Sequence, residues 1–269
     1  MTNLQGKWAV VTGASSGIGW DIAHVLAEKG MNIIPVARRE DRLQKLAGEL
    51  REKHKVDAKV LALDLGKSGA PQELYDKVKG LGVSPEILIN NAGFGIKANF
   101  ADTSWERTEQ LLNLNLVNLT HLTKLFLTDM LKRDSGYILE VASIGAYQPT
   151  PTYATYAAAK SYVLNFGEAL NYELKNTGVG VSVLTPGGTL TEFMQVAGQE
   201  GGALVKLTSM TSRSVAEIAV RGLLRRKPNI LPGFRNWFTA FLTRFTPRRM
   251  TVFLAEWVLR DPKALKPAA

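Results

Sequence analysis

The sequence predicts an α/β fold: one doubly wound parallel sheet with helices on both faces, followed by a helical C-terminal extension. Three observations carry that prediction. Short apolar runs alternate with longer amphipathic stretches from Trp8 to Leu231. A glycine-rich turn, Thr12-Gly13-Ala14-Ser15-Ser16-Gly17-Ile18-Gly19, joins the first run to the first helical stretch. No linker-like segment or internal repeat breaks the alternation. Parallel strands covered on both faces read as continuous apolar runs, as these do.

The elements follow in order. Trp8-Ala9-Val10-Val11 is a short buried strand. Apolar residues at helical spacing predict a helix over 21–29, stopped by Gly30. A strand over 32–37, a charged helix over 39–53 and strands over 59–63 and 87–89 come next. Residues 105–131 read as one long helix, 137–141 as a strand, 156–175 as a helix and 180–184 as a strand. A helix over 215–226 and a last strand over 229–231 complete the unit. This gives a catalytic and dinucleotide-binding domain over 1–232 and an amphipathic helical extension over 233–269. Residues 189–213 are small and polar with several glycines, which predicts a flexible insertion and a candidate lid.

Composition narrows the function. The chain has no cysteine, so disulfides, thiolate ligands and thiol catalysis are excluded. His24, His54 and His121 lie far apart in the sequence with no ligand spacing, so no metal is expected. There is neither an apolar leader nor a run long enough to span a bilayer, which points to the cytoplasm. Eight of the basic residues fall between Arg221 and Arg249, with no acid among them, against a net charge of +9. Positive charge confined to one segment suggests a specific face; it does not suggest a nucleic-acid surface.

The glycine turn has a physical purpose. Gly13, Gly17 and Gly19 let the backbone turn sharply and let a pyrophosphate come close, while the following helix N-terminus offers unpaired N–H groups. This is a Rossmann-type arrangement, although a tight strand-to-helix turn would also use glycines. At the end of the second strand an acid would bind the ribose hydroxyls of NAD. Here Ala37 is followed by Arg38 and Arg39, which suit a 2′-phosphate or else a solvated pair opening a charged helix. Asp64-Leu65 and Asn90-Asn91-Ala92-Gly93 end the third and fourth strands, where open sheets of this kind bind ligands.

Tyr156 and Lys160 are four residues apart in a helix-forming run, so they share one face. A free tyrosine titrates near pH ~10 and a neighbouring ammonium favours its phenolate. Ser143 ends the fifth strand, thirteen residues before Tyr156. Asn115 is a polar residue in an apolar stretch, flanked by Asn113 and Asn118. Each taken alone has an ordinary reading: a surface pair, a turn serine, a solvated asparagine.

Together, in the order Thr12, Gly13, Gly17, Gly19, then Asn91, Ala92, Gly93, then Asn115, Ser143, Tyr156 and Lys160, they resemble the short-chain dehydrogenase/reductase family from about Gly6 to Leu231. The resemblance implies Tyr156 as proton donor, Ser143 polarising a carbonyl, Lys160 binding the nicotinamide ribose and Asn115 supporting a water relay. It implies NADP(H) held by Gly13, Ser15, Ser16, Gly17, Ile18, Gly19, Arg38, Arg39, Asp64, Leu65, Asn91, Ala92 and Gly93, with Pro186, Gly187, Thr189 and Thr191 at the carboxamide. It also implies a homodimer or homotetramer joined through the long helices.

Phe94, Ile144, Gln148, Tyr153, Gly188, Phe193 and Met194 are the expected substrate lining; several also suit ordinary packing. The set is largely apolar, which favours a hydrophobic ketone or aldehyde. Tyr153 has Ala157 and no lysine four residues on, so it is not the acid/base. A β-ketoacyl-thioester reductase is the second reading, with the basic 221–249 segment as a docking surface. A nucleotide-binding regulator or scaffold on the same fold is the third, and an intact set of four catalytic residues argues against it.

The extension carries two stripes at helical spacing. One is Phe234, Trp237, Phe238, Phe241, Leu242 and Phe245, and the other Met250, Phe253, Leu254, Trp257 and Val258. Arg235 and Arg244 flank the first. Such helices suit packing over the substrate cleft, a partner subunit or a membrane interface across 234–260.

Overall fold

The computed structural model describes residues 3–193, 197 and 209–259. Its sheet is built from β1 (Trp8–Thr12), β2 (Asn32–Ala37), β3 (Leu61–Ala62), β4 (Pro85–Asn90), β5 (Gly136–Val141), β6 (Val179–Leu184) and β9 (Asn229–Ile230). The strand order is β3-β2-β1-β4-β5-β6-β9, and every pairing is parallel. Chain order reverses between β1 and β4, which opens a crevice beyond their C-terminal ends.

Both faces of the sheet are covered, as the unbroken apolar strands require. Ala9 and Val11 of β1 face one layer, with Ile22 and Leu26 of α1 (Gly17–Ala27), Leu43 and Leu50 of α2 (Glu40–His54) and Ala219 of α7 (Ser212–Leu224). Val10 faces the other, with Leu74 of α3 (Ala70–Gly80) and Leu122 and Phe126 of α5 (Asn118–Lys132). Val163 and Leu164 of α6 (Ala154–Glu173) pack on Ala142 and Val183. Successive strand residues point to opposite faces, so one short strand serves two cores.

Three elements differ from expectation. The long helix is divided into α4 (Trp105–Leu112), a π-helical turn over Asn113–Val117, and α5. Such turns widen the backbone and re-aim a side chain, here Asn115. Helix α3 was not expected; Gly69, at φ +77°, and Pro71 start it by geometry, because the segment lacks a long apolar period. Beyond β6, β7 (Thr189–Leu190) pairs in parallel with β8 (Met210–Thr211), and the Thr211 hydroxyl caps α7 by accepting from Ser214 N–H at 3.2 Å. The candidate lid falls largely on 194–196 and 198–208, outside the described residues.

The extension forms α8 (Phe234–Leu242) and α9 (Arg248–Leu259). Their small residues, Ala240, Thr251 and Ala255, are the buried ones. The aromatic stripe of α8 faces outward, which corrects the reading that it packs on the body of the protein. Small inward residues let the helices lie close to the body, and the large rings then have room only outside.

Candidate active site

The glycine turn is braced from β4. Gly13 and Gly17 adopt φ of +66° and +59°, a region glycine enters without steric cost. The Asn91 amide donates to the carbonyls of Thr12 at 3.0 Å and Gly13 at 3.2 Å. Thr12 Oγ1 donates to the Ile89 carbonyl and accepts from the N–H groups of Asn91 and Ala92, each at 3.0 Å. Asn91 and Thr12 therefore shape the turn by tying β1 to β4. Ser16 opens α1 without a side-chain cap, leaving its first-turn N–H groups for an anion.

Three arginines follow the end of β2. Arg39 donates to Ser15 Oγ at 3.1 Å and Ser16 Oγ at 3.1 Å, and pairs with Glu192 at 2.9 Å. Arg42 pairs with the same Glu192 at 2.6 Å. Arg38 is exposed and makes no ion pair or hydrogen bond among the described residues. Asp64 Oδ1 accepts from Gly66 N–H at 3.0 Å, and Leu65 is buried beside it. Asn118 holds the Leu65 and Lys67 carbonyls at 2.6 and 3.1 Å. Ile18 and Gly19 lie in the first turn of α1.

Asn115, Ser143, Tyr156 and Lys160 gather near the C-terminal ends of β4 and β5. Ser143 follows β5 in extended backbone; its Oγ accepts from Gly145 N–H at 3.1 Å and shares a side-chain hydrogen bond with the Tyr156 hydroxyl. Tyr156 and Lys160 lie one turn apart on α6, the Lys160 Nζ 5.8 Å from the tyrosine ring centre. Lys160 is buried and donates to the Val141 carbonyl at 2.7 Å. Asn115 is fully buried, accepting from Phe94 N–H at 3.2 Å and donating to Phe94 C=O at 2.8 Å. Gly93 lies where they converge: a Cβ there would meet Asn115 Oδ1 at 2.6 Å and Lys160 Nζ at 3.4 Å. Asn115 is thus not the solvent-facing helical asparagine its residue type would suggest.

Burial dominates the electrostatics. It pushes the Tyr156 hydroxyl up to about 12, with the Ser143 hydrogen bond pulling the other way. No lowering by Lys160 accompanies it; burial brings that ammonium down to about 8, against the attraction of Glu140. Glu140 is fully buried in β5 and raised to about 7 by burial. Thr123 and Asn90 donate to its Oε1 at 2.7 and 3.2 Å.

Aromatic rings wall the other side of Tyr156. Its centre lies 5.9 Å from Tyr153 and 5.5 Å from Phe193, and Tyr153 is buried. Phe193 also approaches Gly95, where a Cβ would sit 2.9 Å from its ring. Phe94 turns to Arg107, whose guanidinium stacks 4.2 Å above the ring centre. Ile144 N–H donates to the Pro186 carbonyl at 2.9 Å, and Gln148 is half-buried at the end of the same 3₁₀ turn. Gly187 and Thr189 are joined by a Thr189 hydroxyl bond of 3.1 Å, and Gly188 C=O receives Met210 N–H. Thr191 lies over Gly17, at 2.9 Å from the Cβ position. Met194 lies outside the described residues.

Sequence reasoning missed Glu140 and Glu192, and it noted Asn118 only as a neighbour of Asn115. Glu140 had a signal: an acid inside the apolar strand Tyr137-Ile138-Leu139-Glu140-Val141. Glu192 had none, since its partners lie about 150 positions away. His24 and His54 also meet, with ring nitrogens 3.2 Å apart, so the fold unites two histidines distant in sequence. No cluster of three potential metal ligands occurs among the described residues.

A dinucleotide fits this donor set. The uncapped start of α1 suits phosphates, Arg38 is uncommitted among the described residues, and Lys160 makes one described hydrogen bond with three N–H donors. The Ser143 and Tyr156 hydroxyls and the Lys160 ammonium lie together beside that crevice.

The family follows from comparison: the model described as short chain dehydrogenase matches residues 7–213, and the chain belongs to that family. A 7beta-hydroxysteroid dehydrogenase of Collinsella aerofaciens is 30% identical over 86% of this chain and 88% of its own. A very-long-chain 3-oxoacyl-CoA reductase of Anas platyrhynchos is 33% identical over 71% of this chain, which spans 62% of that protein's length. The solved short-chain dehydrogenase from Sphingobium yanoikuyae in complex with NADPH superposes with a TM-score of 0.79 at 27% identity, covering 97% of this chain and 98% of that one.

Proposed function

We propose that this chain is an NADP(H)-dependent oxidoreductase that reduces a hydrophobic ketone or aldehyde, or runs the reverse reaction, with Tyr156 as general acid/base. The observation that carries the reading is the Tyr156 hydroxyl joined to Ser143 within a wall of Tyr153 and Phe193. In the reducing direction Tyr156 gives its proton to the carbonyl oxygen. Ser143 donates to the same oxygen and aligns it. Lys160, held by Val141, presents its remaining N–H groups to the cofactor ribose and its charge to the phenolate that forms. Asn115 fixes the Phe94 backbone at the cleft wall and keeps Gly93 close to Lys160. The nicotinamide, when bound, supplies or accepts the hydride.

Arg38 favours NADP(H), as a cation at the end of β2 with no partner among the described residues; the NADPH complex of a similar enzyme supports the same reading. The catalytic unit is residues 1–232, with 233–269 an extension. Homo-oligomerisation through α5 and α6 fits the exposed Leu131, Tyr162 and Tyr172 on those helices. A thioester substrate is the second reading, favoured by the similarity to the 3-oxoacyl-CoA reductase and by the basic 221–249 segment.

NADPH consumption against a panel of bulky ketones, steroid-like ketones and an acetoacetyl thioester tests both readings. Tyr156→Phe is expected to lower kcat by about 10²–10⁴ with cofactor binding kept. Full turnover by that variant would overturn the assignment.

A further inference from the structure

Among the described residues, ten of the sixteen exposed large hydrophobic side chains fall between Phe234 and Trp257. Phe234 is 77% exposed, Phe245 72% and Trp257 64%, values that leave these rings without cover. Along α8 and the turn that follows it four rings form a continuous row: Phe234 to Trp237 at 5.7 Å, Trp237 to Phe241 at 5.3 Å, Phe241 to Phe245 at 5.0 Å. Isolated exposed apolar residues are ordinary, whereas a contiguous row marks an interaction surface.

The charges beside the row have one sign. Arg235, Arg244, Arg248 and Arg249 make no ion pair among the described residues. Glu256 is the only acid between residues 234 and 259. We propose that α8 and α9 dock this protein on the surface of a bilayer containing anionic phospholipid. The rings enter the headgroup and acyl boundary, and the arginines reach phosphate groups by extending along the surface. Helices lying in the interface plane need no spanning length, and no described helix is long and apolar enough to cross a membrane.

Charge complementarity selects this occupant over a second copy. A two-fold contact would place the arginine-bearing surface against itself, with one glutamate per copy to offset it. An anionic surface pairs with every arginine at once. The location adds a consequence for the cleft. Asn236 of α8 lies against Gly187, leaving no room for a Cβ there, and Ile144 is bonded to the adjoining Pro186. The helix that carries the docking face therefore borders the proposed substrate side of the site on its inner surface.

Flotation of the full-length chain with phosphatidylcholine vesicles, with and without phosphatidylserine, tests the proposal. Binding is expected on the mixed vesicles, with weakening by salt. Each neutralised arginine should lower partitioning about fivefold, so Arg248→Gln with Arg249→Gln lowers it about 25-fold. Phe245→Ser with Trp257→Ser should lose binding as well, and turnover of a water-soluble ketone by these variants should match the parent. Absence of parent binding to anionic vesicles overturns the proposal, as does binding unaffected by both variant pairs. Light scattering that shows an oligomer abolished by Phe245→Ser and Trp257→Ser, without vesicle binding, overturns it in favour of a second copy.

Discussion

Glu192 grips Arg39 at 2.9 Å and Arg42 at 2.6 Å, reaching across the glycine turn from the segment that follows β7. Two of the three arginines near the end of β2 thus already hold a carboxylate, and Arg38 holds none among the described residues. A 2′-phosphate bound there would compete with an internal anion. Glu192→Gln is expected to tighten NADP(H) roughly 3–10-fold at low salt, the scale of a part-exposed ion pair, and to leave NAD(H) unchanged. Fluorescence titration with both dinucleotides checks it; equal gains for the two would mean that Glu192 does not oppose the phosphate.

Arg38 has no described partner to lose. Arg38→Ala should therefore weaken NADP(H) by about 1.5–3 kcal/mol, the usual range for hydrogen bonds to charged groups, while NAD(H) affinity stays level. The ratio of the two dissociation constants is the measurement. A thermal midpoint equal to the parent's would show that the loss belongs to the ligand and not to the fold.

Gly13 combines φ +66° with backbone in its path: a Cβ there meets Asn91 Nδ2 at 2.7 Å and the Ala92 Cα at 2.9 Å. Gly13→Ala is expected to cost about 1–2 kcal/mol for the left-handed backbone alone. The displaced β4 end adds to this, and dinucleotide affinity should fall with stability. Gly48 has open space around its Cβ position, so Gly48→Ala serves as the contrast.

The buried carboxyl of Glu140 makes stability depend on pH. Its folded value is raised to about 7 by burial, above the ordinary 4.5. A raised value means that the folded state binds the extra proton. The stabilisation is complete below about pH 4.5 and is lost as pH rises through about 7, amounting to roughly 3 kcal/mol. Glu140→Gln keeps an amide beside Thr123 and Asn90 and has no proton to lose. Melting curves from pH 4 to pH 8 should show a smaller stability loss with rising pH in the variant. Parallel curves would refute the account.

Asn115 answers both backbone groups of Phe94. Asn115→Ala leaves them unpaired in a closed site, at about 1–3 kcal/mol for each buried group left unsatisfied. The thermal midpoint should drop by roughly 2–4 °C for each kcal/mol in a chain of this size. Turnover should fall further than stability predicts at a temperature where the variant is fully folded, because Gly93 loses its stop beside Lys160.

The sequence by itself determined the alternation of strands and helices, the glycine turn, and the shared helix of Tyr156 and Lys160. These are local: apolar period, glycine spacing and the four-residue helical step are all read within a few turns of chain. Boundaries moved by a few residues, as for α1 at Gly17–Ala27, because a helix start depends on its cap as well as its apolar face. Helix α3 escaped because Gly69 and Pro71 mark its start more clearly than any apolar period marks its body. The π-helical turn at Asn115 escaped because a regular apolar period runs through it unchanged.

Only the tertiary structure decided the long-range pairings and the directions of faces. Glu192 meets Arg39, Asn91 braces Gly13, and Glu140 sits below Lys160 because parallel strands bring distant segments to one edge. No local pattern encodes those meetings. The same holds for the tail: its stripe was plain in the sequence, but a stripe has no sign. Ala240 and Ala255 taking the inward positions is what turned the rings outward.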